Sequence, residues 1–265
     1  MVASSILFVL GLLGLVGAIN ALRGPATHRR PAFRPPFLPA LLTAEAVPLR
    51  VVVHAVSAGV LIWAGALDRL AGRVGLALTM VTWLGYAVIQ WRAVGTRKVM
   101  AAALSSSGVD PAGFAHIEWR RVLAAYPYRV PAGVERIEDI EYAPGLHLDL
   151  YRERNSGAEP RPALLYVHGG SWRGGNRRQQ GRPLLHRLAG NGWVGVSASY
   201  PLVPAATFPD QLIALKRVLA WMRGPGTEFG IAPDFIAVSG GSAGGHLAAL
   251  LALTADRPEY QPGFE

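Results

Sequence analysis

Apolar residues fall along this chain in two regimes. Up to residue 90 they form three nearly unbroken runs, at 2–22, 51–67 and 74–90. From residue 135 they shorten and begin to alternate. A run of about 20 apolar residues matches the thickness of a bilayer core. The first run is interrupted only by Ser4, Ser5 and Asn20. A cleaved signal peptide is its competing reading, and the absence of any Lys or Arg ahead of it weighs against that. The second run stops at Asp68-Arg69 and the third at Trp91-Arg92, which reads as an interfacial anchor. Both are short for a span, so an apolar hairpin packed on a soluble domain is the alternative. A bundle of about three transmembrane helices accounts for all three runs together. His54, within the second run, reads as a helix-packing residue. Residues 23–39 carry five prolines and cannot form a continuous helix.

In the second regime, residues 137–142 and 146–151 alternate with period two around Pro144-Gly145, as a hairpin does. His147 and Asp149 fall on the polar side of that pattern and read as solvated. The continuous apolar stretches 163–167 and 193–199 predict buried strands, as does 235–238. Residues 209–223 carry a helical stripe containing Leu212, Leu215, Val218, Leu219 and Met222. Strands alternating with helices predict an α/β domain with a largely parallel sheet. The expected organisation is a membrane helical region at 1–95, a linker at 96–134 and the α/β domain at 135–265. A helix around 111–125 and a break at Ser105-Ser-Ser-Gly108 are expected in the linker.

Charge sharpens this division. The net charge is +9, and ten cations against Glu45 and Asp68 place +8 of it before residue 101. A basic excess confined to the loops between apolar runs suits a membrane surface, and no nucleic-acid partner is expected. Lys and Arg concentrate in the first connector and after the third run. The connector and everything past residue 95 are therefore expected in the cytoplasm, with the N-terminus outside. The chain has no cysteine, which excludes disulfides, thiolate catalysis and cysteine-based zinc sites. His116 and Glu118 lack the H-E-x-x-H spacing of a metal helix, and neither metal nor cofactor is expected.

The chemistry centres on Gly240-Gly241-Ser242-Ala243-Gly244, between a predicted strand and a predicted helix. G-x-S-x-G on a sharp strand-to-helix turn is a nucleophile elbow: the serine sits in a cramped conformation and its neighbours must lack side chains. The helix behind it turns its positive end toward the serine. A glycine-rich nucleotide-binding turn is the alternative. A dinucleotide fingerprint would need glycine at Ser242, however, and no Gly-Lys-Ser/Thr of a P-loop follows. A second motif, His168-Gly169-Gly170-Ser171-Trp172, follows the strand at 163–167. Residues with little side chain there free backbone amides to receive an oxyanion.

With both motifs in view, residues from about 135 onward resemble the hormone-sensitive-lipase/carboxylesterase branch of the α/β-hydrolase superfamily. Ser199-Tyr-Pro-Leu-Val-Pro204 with Phe208-Pro209 is similar to a further passage of that family, although Pro201 replaces its arginine. The apolar N-terminus is similar to membrane-anchored actinobacterial esterases and lipases. The resemblance implies the N-terminal half of an α/β-hydrolase sheet. It also implies Ser242 as nucleophile and an oxyanion hole made by the amides of Gly170, Ser171 and Ala243. His168, Gly169, Gly240 and Gly244 would support the motifs, and His246 would pack away from the serine hydroxyl. The substrate would be a small-molecule or lipid ester.

The family order is serine, then acid, then histidine. No histidine follows His246, so a truncated chain is expected, feeble by itself, with its triad acid and base beyond residue 265. Strand 235–238 would then lie at a sheet edge, with Leu247, Leu250 and Leu251 exposed. Amide hydrolysis of the arylformamidase kind, and a non-catalytic membrane protein with a hydrolase-like domain, remain as alternatives.

Overall fold

A computed structural model of the chain describes residues 1–23, 37–110, 129–157 and 159–264. The chain divides into two compact units, Met1–Leu123 and Ala124–Glu265.

In the first unit, helix α1 (Val2–Leu22) packs along helix α4 (Leu70–Ser106). Their buried residues, Leu7, Gly11 and Gly14 against Gly75, Thr79 and Thr82, recur every three or four positions and so form one stripe on each helix. Small residues on these stripes bring the backbones together: a Cβ on Gly75 would lie 2.5 Å from the Phe8 nitrogen. The Thr79 and Thr82 hydroxyls donate to the carbonyls of Gly75 and Leu78, each at 2.9 Å, so these buried polar atoms are satisfied within their own helix. Large apolar side chains such as Ile6, Leu13 and Val16 point outward instead.

Helices α1 and α4 are long and apolar enough to cross a membrane. The second apolar run does not form a straight span. Helices α2 (Phe37–Glu45) and α3 (Val47–Trp63) meet at a bend of 89°, giving a third candidate only if the pair counts as one. α3 also ends before the run does, because the chain turns at Gly65 with φ 79. α4 runs past residue 96, where the linker was expected to start, and continues to Ser106. Residues 97–104 are Arg, Lys, Val, Met, Ala and Leu, mostly strong helix formers with no Gly or Pro. The expected break survives as the end of that helix, with Gly108 at φ 76. The helix expected around 111–125, with His116 and Glu118, lies outside the described residues.

The second unit is a five-stranded sheet: β1 (Val134–Ala143), β2 (Leu146–Glu153), β3 (Arg161–Val167), β4 (Val194–Ala198) and β5 (Ile231–Gly240). Their order is β1-β2-β4-β3-β5. β1 and β4 both pair antiparallel with β2, while β3 runs parallel to β4 and β5. Helix α5 (Arg182–Ala189) covers one face, where Leu185 and Ala189 meet Tyr151 and Leu164. Helices α6 (Asp210–Arg223) and α7 (Ala243–Leu253) cover the other, against Leu148, Leu150, Leu165 and Val196. Each such fully buried aliphatic side chain contributes about 1.5–3 kcal/mol.

Two expectations change here. β5 is an outer strand, as expected, yet Leu247 and Leu251 are 1% and 3% exposed and Leu250 is half-buried. α7 lies on β3 and β5 with α6 beside it, and these supply the packing surface. Asp149, expected to be solvated, is 0% exposed. β2 is an interior strand, and the arginines of the 176–178 loop close over the carboxylate.

Candidate active site

β5 delivers the chain into the elbow, and Ser242 caps the N-terminus of α7 at φ 53, ψ −119. A side chain at positive φ is strained by about 1–3 kcal/mol and persists only where the surroundings fix it. Here they do. A Cβ on Gly240 would meet the Gly244 carbonyl carbon at 2.5 Å, and one on Gly244 would run into the Val167 carbonyl oxygen at the end of β3. The elbow is thereby clamped against the strand that carries the second motif. Ser242 is exposed, while Ala243, the first residue of α7, is buried. The first amides of a helix have no partner within it, which leaves the Ala243 N–H for an incoming acceptor.

At the end of β3, His168 is 1% exposed and stacks on Tyr200 with ring centroids 4.4 Å apart. The Tyr200 hydroxyl donates to the His168 carbonyl at 2.8 Å, and His168 Nδ1 lies 2.9 Å from the Gly169 carbonyl oxygen. Burial holds the His168 imidazole below its ordinary pKa, so the ring is neutral at neutral pH. These contacts anchor the loop. Past it, Gly170, Ser171 and Trp172 all have positive φ, at 132, 54 and 60. Gly170 accepts hydrogen bonds from the amides of Arg173 and Gly174 at 3.0 Å each. Gly169 packs so closely on the elbow that a Cβ there would lie 2.5 Å from the Gly241 oxygen. The two motifs, His168–Trp172 and Gly240–Gly244, lie far apart in the chain and are thus in contact.

Beside them opens a cavity of about 360 Å³, lined by Ser171, Trp172, Val203, Phe208, His246 and Leu247 among others. His246 is exposed, lines this cavity and packs on the Trp172 ring edge-on at 5.4 Å. His186 is buried against Tyr151 on the α5 face, and His147 remains partly exposed. Among the described residues no group of three or more His, Cys, Asp or Glu gathers as a metal site.

Sequence reasoning missed the ion cluster behind the loop. Asp149 accepts from Arg177 Nε at 2.9 Å, Arg178 Nε at 2.6 Å and the Asp139 amide at 3.1 Å. Burial alone would raise its carboxyl, but the hydrogen bonds from Arg178 and Arg177 bring it below its ordinary value. The available signal was Arg177-Arg178 directly after the glycine-rich loop.

Residues 148–263 match the BD-FAE family model. A probable carboxylic ester hydrolase of Mycobacterium tuberculosis, LipM, is 46% identical over 126 residues, which are 47% of this chain and 29% of LipM. Esterase LipQ of the same organism is 44% identical over 131 residues, 48% of this chain and 31% of LipQ. The arylacetamide deacetylase of Oryctolagus cuniculus is 35% identical over 107 residues, 39% of this chain and 27% of that protein. The chain spans less than a third of the length of each of these relatives. In this stretch, which holds the elbow and the His-Gly-Gly loop, the chain is thus similar to esterases.

Proposed function

We propose that the protein is a membrane-tethered serine hydrolase that cleaves carboxylic esters through an acyl-serine intermediate. The observation that carries this reading is Ser242 at φ 53 on the N-terminus of α7, in contact range of the His168–Trp172 loop. The Ser242 hydroxyl oxygen attacks the ester carbonyl carbon, and the carbonyl electrons move onto oxygen. The amides of Gly170, Ser171 and Ala243 receive that oxyanion, each worth about 3 kcal/mol in comparable sites. Collapse expels the alcohol, and water then releases the acid from the serine. The serine proton needs a base, which this fold supplies from a histidine following the nucleophile and an acid in chain order. Cleavage of an aryl amide by the same acyl-serine route is the second reading, favoured by the likeness to arylacetamide deacetylase.

In the full-length gene product, a fluorophosphonate probe labels Ser242, and Ser242→Ala abolishes both labelling and p-nitrophenyl ester turnover. Unchanged turnover in that variant rejects the assignment.

The tether is α1 and α4, with α2–α3 as a third, broken span, and the hydrolase domain lies on the cytoplasmic side. The arginine-rich flanks support this orientation. A cysteine placed at Ser107 is then labelled from the cytoplasm and one at Arg69 from outside; the reverse pattern overturns it.

A further inference from the structure

The loop that carries the proposed oxyanion amides does not end at Trp172. It runs on to α5 and returns to its own start. The Gln180 side-chain oxygen accepts the Gly169 amide at 2.9 Å. That oxygen would also lie 3.4 Å from a Cβ on Gly241, the residue before Ser242. Gln180 therefore sits where the loop meets the elbow. Its outer side is exposed, but its acceptor faces inward.

Two residues upstream, the chain is pinned to the sheet. Arg178 grips Asp149 with two nitrogens, at 2.6 and 3.1 Å. Arg177 reaches Asp149 at 2.9 Å and the Ser199 hydroxyl at 2.9 Å, and its carbonyl accepts from Ser197 at 2.8 Å. Asp139, on β1, pairs with both arginines. A buried carboxylate holding two guanidiniums is rigid, because breaking either contact strands a charge away from water. Asp149 is thus a fixed point on β2 from which residues 177–180 are hung.

We infer that Asp149 and Gln180 are positioning residues for the oxyanion hole. Gln180 engages the Gly169 amide and so turns the next two amides, those of Gly170 and Ser171, toward the ester oxygen. Asp149, through Arg177 and Arg178, holds Gln180 in place. Neither residue touches substrate. This rests on the reading of Ser242 as nucleophile, but its structural half can be measured without turnover.

The test uses Gln180→Met, which keeps the length and loses the strong acceptor, Gln180→Glu, which keeps an acceptor, and Asp149→Asn. In the full-length protein, Gln180→Met lowers kcat for a p-nitrophenyl ester roughly tenfold at unchanged KM, since only the transition state uses the amides. Gln180→Glu retains more activity than Gln180→Met. Hydrogen exchange of the peptide covering residues 168–172 speeds up in Gln180→Met and Asp149→Asn, while exchange in β4 stays as in the parent. Exchange at 168–172 unchanged in Gln180→Met overturns the proposal whether or not the protein is active. So does a kcat within twofold of the parent. Full turnover in Ser242→Ala alongside faster loop exchange would instead sink the serine reading and leave the positioning role standing.

Discussion

The two units of this chain bury opposite things. In the helical unit the buried faces of α1 and α4 are mostly small and partly polar, with Ser4, Gly11, Gly75 and Thr82 inside beside the larger Leu7 and Tyr86. There Leu13 is 65% exposed and Trp63 90% exposed. In the α/β unit, Leu150, Leu165 and Met222 are fully buried, and the charged residues lie mostly at its surface. Apolar side chains gain nothing by leaving a lipid-like solvent, so helices there associate through close backbone approach. In water the gain comes from removing apolar area, and large side chains go inside. One chain obeys both rules if, as proposed above, its first half lies in a membrane and its second in water.

If this contrast is right, enlarging a glycine should be the worst change in the first unit, and shrinking a leucine the worst in the second. Gly75→Val drives methyl groups into the Phe8 and Leu7 backbone, which cannot move aside as a side chain could. The expected cost is above about 3 kcal/mol, at the upper end of overpacking. It is read as a large drop in the melting temperature of the detergent-solubilised protein. Leu165→Ala, at 0% exposed in the sheet core, should cost about 3 kcal/mol through the cavity it leaves. A tolerated Gly75→Val would mean that the α1–α4 seam is not what holds the helical unit together.

The smallest effect is a pH dependence confined to the α/β unit. Burial first, and then Arg182 and Arg136, push the His186 imidazole down to about 4. The folded value lies below the unfolded one, near 6.5, so the unfolded chain takes up a proton first. The stability held by the neutral ring is complete above about pH 6.5 and is lost as pH falls toward about 4. His186→Gln should flatten the melting curve across that window; an unchanged slope would show that another group sets it. The Asp149 contribution lies lower still, being lost only as pH falls below the ordinary aspartate range.

The elbow was legible in the sequence because its geometry leaves few alternatives. Gly240 and Gly244 have no room for a Cβ, and an apolar strand leads into them while an apolar helix follows. The extent of the helices was less legible. The apolar pattern of the third run fades at Trp91-Arg92, but helix propensity does not, and α4 continues to Ser106. Asp149 was misread because period-two alternation reports which side of a strand a residue occupies, not what covers that side. Its cover, Arg177 and Arg178, arrives 28 and 29 residues later through a loop with no periodicity of its own. His246 was placed by helical position alone, and the indole of Trp172 that it faces comes from a different motif.

The backbone at Ser242 has a further meaning. At φ 53 a glycine would sit without strain, so the turn taken alone prefers glycine over the residue it carries. Folding and reactivity therefore ask for different residues at one position. A redesign of this domain guided only by thermostability would be drawn to replace that serine early, and would erase the proposed nucleophile while improving the fold.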